Sequence, residues 1–159
     1  STVTLKVKQS TSRLKVTGLA KGDSVKSWKS SNTKIVKVSG KANGTCKISA
    51  QKRTGTARIT ITLKSGLKKT VKVNVQKTAV KTKKIQGLSK TLTLKKGSSV
   101  KLKPVLKPLT SQQKLIYTSS NKKVVTVSSK GVVKAKKSGK VTITVKSGSK
   151  KVKIKVTVK

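Results

Sequence analysis

The chain has 159 residues, of which 42 are Lys or Arg and one is acidic; histidine is absent and the formal net charge is +41. With one carboxylate (Asp23), one thiol (Cys46) and no histidine, these side chains assemble neither an acid–base pair, a catalytic triad nor a hard-metal site. No enzymatic activity, cofactor or metal is therefore expected of them.

Hydrophobic residues make up 32% of the chain, near the limit where entropy and self-repulsion leave a chain disordered. Here, however, Val, Ile and Leu alternate with polar residues. In chain order, this period-two pattern predicts strands near 3–8, 13–17, 25–29, 34–39, 45–50, 56–64 and 69–75. A second series follows near 91–95, 99–105, 114–118, 123–128, 131–136, 140–146 and 151–158. Glycines such as Gly18, Gly40, Gly66, Gly97, Gly131 and Gly148 punctuate both series. No stretch shows helical periodicity, and no apolar run approaches the roughly 18 residues of a membrane span. Two all-β antiparallel sandwiches are expected, each with one face of every sheet buried.

The two series are copies of one unit. "WKSSNTKIVKVS" (28–39) aligns without a gap with "YTSSNKKVVTVS" (117–128), and "GTARITI" (55–61) with "GKVTITV" (139–145). "KKTVKVNV" (68–75) is similar to "KKVKIKVTV" (150–158). The expected organisation is a first domain at 1–76, a polar linker at 77–84, and a second domain at 85–159.

The second copy carries a further signal: an opening leucine strand, Gly97, Leu102 and Pro108, then an aromatic before Ser119, Ser120 and Asn121. Val125 to Val127, Gly131, Ala135, Gly139 and "VTITV" complete the set. This ordered set resembles the group 2 bacterial immunoglobulin-like domains, and the first copy is similar to a divergent member. The resemblance implies immunoglobulin-like sandwiches from a larger secreted or surface protein, located outside the bacterial cell or on its wall. It also implies stalk or adhesive roles, with no catalytic residues to carry over.

Trp28 and Tyr117, the only aromatics, occupy equivalent positions and are expected in the core, together with Cys46 and Val133. A single cysteine forms no disulfide within the chain; a bridge between chains stays open. The bases divide as 18 in residues 1–76, four in 77–84 and 20 in 85–159, so the charge has no single docking patch. Alternation turns Lys101, Lys103, Lys151, Lys153 and Lys155 outward in the second copy, with Lys68, Lys69 and Lys72 as partners in the first. These eight are the expected binders of a polyanion: a wall teichoic acid, a sulfated or sialylated glycan, or nucleic acid without sequence preference. Lysine, a hydrated point charge, dominates over arginine at 39 to three, which favours avidity over fixed geometry. The alternative is a passive spacer that presents another domain.

Overall fold

The computed structural model describes residues 2–159, and all of its elements are strands. The chain divides into two compact units. One comprises the residues up to Val80 with Pro108–Thr110; the other comprises Lys81–Lys107 with Ser111–Lys159.

The first unit holds β1 (Thr2–Lys6), β2 (Ser10–Thr11), β3 (Val25–Ser30), β4 (Val36–Gly40), β5 (Cys46–Ala50), β6 (Gly55–Leu63) and β7 (Lys68–Gln76). A four-stranded sheet in the order β1-β7-β6-β3 faces a three-stranded sheet in the order β2-β5-β4. Alternation accounts for the core between them. In β6 and β7, Ala57, Ile59, Val73 and Val75 turn inward to meet Val36, Ile48 and Ala50 of β4 and β5. Leu5, Val36 and Val73 are wholly buried.

The second unit repeats this plan with β9 (Thr91–Leu94), β10 (Ser99–Lys101), β12 (Ile116–Ser119), β13 (Val125–Val127), β14 (Val132–Ala135), β15 (Gly139–Ser147) and β16 (Lys150–Val158). Its sheets run β12-β15-β16-β9 and β10-β14-β13, closing over Val133, Ala135, Ile143, Val145, Ile154 and Val156. The two short strands β8 (Lys84–Gln86) and β11 (Val105–Lys107) form an extra ribbon without a counterpart in the first unit.

Three features depart from simple alternation. The sheets are antiparallel except where the first strand of each repeat joins the last: β1 pairs with β7, and β9 with β16, in parallel. The run expected as one strand at 99–105 is two. Pro104 has no N–H to give to a ladder, so β10 ends at Lys101 and β11 starts at Val105 in another sheet. The strand expected at 13–17 shrinks to Ser10–Thr11 plus one bridge between Lys15 and Thr45. There the Thr11 hydroxyl accepts the Arg13 N–H at 3.3 Å, a local turn that competes with the ladder.

Candidate functional site

On β16, Ile154, Val156 and Val158 are buried while Lys151, Lys153 and Lys155 are exposed. Strand geometry sets the three lysine Cα atoms about 7 Å apart along one column. The hairpin into β15 fixes their neighbours: Lys151 lies opposite Lys146, Lys153 opposite Thr144, and Lys155 opposite Thr142. On the other side β9 places Thr91 opposite Lys155. A shallow trough on this face is lined by the three lysines, Lys90 and flanking threonines that include Thr118. The row of ammonium groups thus runs beside Thr142 and Thr144 of β15, with Thr91 of β9 across from Lys155, all donors toward an anion.

The other expected lysines do not join this column. Lys101 and Lys103 follow the alternation of Val100 and Leu102, which pack into the core from the three-stranded sheet. Since the two sheets of the unit enclose one core, these lysines occupy the opposite outer face. In the first unit, Lys68 lies opposite Thr62 and Lys72 opposite Arg58, so both share the outer face of β7. Lys69 does not. It lies opposite Ile61, in the parity of Val71 and Val73 that faces the core, and is exposed near the start of β7. Reading "KKTVK" as three equivalent outward lysines overlooks that neighbouring strand residues point to opposite faces.

The residues expected in the core lie as follows. Val133 is wholly buried, and Cys46 is buried with its thiol toward the Leu14 carbonyl at 3.3 Å. Burial pushes the Cys46 thiol above its ordinary range and so lowers its thiolate fraction. Trp28 and Tyr117 are half-buried at the core edge. Each ring lies on a glycine of its unit: Trp28 covers Gly40, and Tyr117 comes within 3.0 Å of where a Cβ on Gly131 would sit. Gly131 has a φ of 78°, so glycine satisfies both backbone and ring there. Desolvation raises the Tyr117 phenol pKa.

Asp23 is the only acidic side chain of the chain, and its carboxylate is committed to a turn. It accepts the Ser65 hydroxyl at 2.7 Å, the Ser24 N–H at 2.8 Å and the Ser65 N–H at 3.2 Å. It neutralises none of the lysine columns. What the sequence did not show was the setting of the β16 lysines, namely Lys146, Lys90 and which outward threonine faces which lysine. One signal for it existed. "SGSK" (147–150) turns on a two-residue hairpin loop, Gly148 and Ser149, and such a loop fixes the register of the strands that it joins.

Residues 76–158 match the model of the bacterial Ig-like domain (group 2). Among solved structures, the chain is similar to the S-layer protein SbsC at 25% identity, covering 90% of this chain and 21% of that one, with a TM-score of 0.45. A structure of domains 4 and 5 of SbsC is similar at 24% identity over 89% of this chain and 73% of that one, with a TM-score of 0.44. A bacterial Ig-like domain containing GH10 xylanase from termite gut shares 26% identity over 43% of this chain and 18% of that one, with a TM-score of 0.36. The chain thus spans about a fifth of the length of the first of these proteins. No curated protein matches it.

Proposed function

The chain belongs to the bacterial Ig-like domain (group 2) family, and from that premise we propose that it is a non-catalytic module of a surface or secreted bacterial protein that holds polyanionic polymers. The observation that carries this reading is the β16 column. Lys151, Lys153 and Lys155 stand in line on one exposed face, beside Lys90, Thr142 and Thr144. A linear polymer with regularly spaced phosphate, sulfate or carboxylate groups meets such a column with one charge after another. Binding proceeds by release of the polymer's counterions and weakens steeply with salt. Lysine ammonium groups demand no fixed approach, so the polymer is held by multiplicity and not by one stereospecific contact. Lys68 and Lys72 in the first unit, and Lys101 and Lys103 on the opposite face of the second, extend the cationic surface.

The test is binding of the chain to immobilised teichoic acid, heparin and a neutral glucan at several salt concentrations. The expected result is binding to both polyanions with a steep negative salt slope and none to the glucan. A variant with Lys151, Lys153 and Lys155 all changed to Gln should bind more weakly with a shallower slope, since fewer counterions are released. Retention of neither polyanion at physiological salt would overturn the reading and leave a spacer whose lysines serve solubility.

A further inference from the structure

A second cationic feature lies in the first unit, where two turns flank the start of β4. The turn before β4 and the turn after β5 meet in a concavity lined by Thr33, Lys34, Lys37, Gln51, Lys52 and Arg53. Four of these six residues are basic, Arg53 among them, and each of the four is exposed. It is also held in shape. Lys34 donates its N–H to Asn32 Oδ1 at 3.1 Å, closing an Asx turn. The Gln51 N–H reaches the Ile35 carbonyl at 2.8 Å and ties the two turns together. The Gln51 side chain donates to the Ser49 carbonyl at 3.0 Å, while Lys37 stands on β4 opposite Ser49.

The second unit rebuilds the same scaffold. Lys123 donates to Asn121 Oδ1 at 2.9 Å, and the Lys136 N–H reaches the Val124 carbonyl at 2.8 Å. The flanking turns again carry bases: Lys122, Lys123, Lys136 and Lys137. Two of the bases recur at equivalent positions, Lys34 with Lys123 and Lys52 with Lys137, while Thr126 and Ser138 stand where the first unit has Lys37 and Arg53. The chain's one acidic side chain, Asp23, is bonded to Ser24 and Ser65 and is not among the lining residues. Like charges that line one hollow repel, and one multiply charged anion among them relieves several repulsions at once.

We propose that the concavity of Thr33, Lys34, Lys37, Gln51, Lys52 and Arg53 is a discrete binding site for one compact tetrahedral oxyanion, a phosphate or sulfate group. Arg53 supplies the directional, fork-like donors that lysine lacks. Lys34, Lys37 and Lys52 supply charge. The site shares no residue with the β16 column and stands whether or not that column holds a polymer.

The test is an amide NMR titration of the whole chain with inorganic pyrophosphate and, separately, with sodium sulfate, each balanced by sodium chloride to constant ionic strength. The expected result is a saturable shift confined to residues 33–37 and 51–53 with at least one of the two anions. Arg53→Gln should weaken it about tenfold, and Lys101→Gln should leave it unchanged, both variants being exposed positions that the fold tolerates. The two anions separate a phosphate-bearing source from a sulfate-bearing one. Non-saturating shifts spread evenly over the lysine-bearing strands would overturn the proposal, as would Arg53→Gln binding as tightly as the parent. The triple Gln variant of β16 should keep this shift while binding polymer more weakly, so failure of one reading is distinguishable from failure of the other.

Discussion

Asp23 sets how the protein responds to acid. The Ser65 hydroxyl first, then the N–H groups of Ser24 and Ser65, hold its carboxyl below the ordinary carboxylate range. A folded-state pKa below the unfolded one gives stability that is fully present above the unfolded value, about 3.9, and is lost as pH falls through the folded value. No other carboxylate side chain and no histidine exist to titrate. The melting temperature is therefore expected to stay level from about pH 8 to about pH 4 and to decline only below that. Asp23→Asn should remove the decline. Thermal melts across this range check the prediction, and a midpoint already falling near pH 6 would contradict it. At this scale the sequence was informative about Asp23 as a turn residue, because "KGDS" pairs glycine with a side chain that bonds its own backbone. The bond to Ser65 was not legible, since it closes across 42 positions of chain.

Among elements, the strands that follow period two were legible, and those decided by one atom were not. The missing N–H of Pro104 divides β10 from β11, and Ile85 is the only apolar residue of β8, too little for a pattern to register. Thr82 shows the same limit. It is buried in the second unit, its N–H donating to Gln113 Oε1 and its hydroxyl 2.7 Å from those of both Ser111 and Ser147. Nothing in "AVKTKK" marks one threonine as different from its neighbours. Thr82→Val keeps the shape but strips Ser147, itself wholly buried, of a partner. Ser147 keeps the Gln113 carbonyl at 3.4 Å, so a loss of about 1 kcal/mol is expected in urea melts, the net worth of the hydrogen bonds removed. The hairpin of β15 and β16 offers the opposite case. Lys146 and Lys151 are cross-strand neighbours of like charge, a destabilising pairing. Lys146→Glu should stabilise the chain by about 0.5 kcal/mol at low salt, and the gain should vanish in 1 M salt, where screening acts within about 3 Å.

For the whole molecule, charge balance is the dominant fact. Two lysines about 7 Å apart on a strand repel by roughly 0.6 kcal/mol in water, and screening extends over about 8 Å at physiological salt. Many such pairs and almost no acids make repulsion a sizeable part of a marginal stability. Adding sodium chloride should therefore raise the melting temperature, with most of the rise between low and physiological salt. A midpoint indifferent to salt would show that the strands tolerate their lysines at little cost. Composition and alternation were enough to read the fold class, because burying Val and Ile on one side of a strand leaves lysine nowhere else to go. They were not enough to locate a site. Which lysines share a face depends on parity and on which sheet a strand joins, as Lys69, Lys101 and Lys103 show.

The parallel seam of each unit has a mechanical consequence. In the first unit the first strand, β1, runs alongside the last over five residue pairs from Thr2 to Lys6; in the second, β9, which follows β8, runs alongside the last over four from Thr91 to Leu94. Tension applied to the two ends of a unit pulls these strands in opposite directions along their length. The hydrogen bonds between them are then loaded in shear, together, instead of opening one at a time like a zip. Single-molecule pulling should find each unit stiff to a force threshold and then abruptly yielding, with a lower threshold when the seam is weakened by Leu5→Pro. A tether that must not creep under flow is well served by such a clasp.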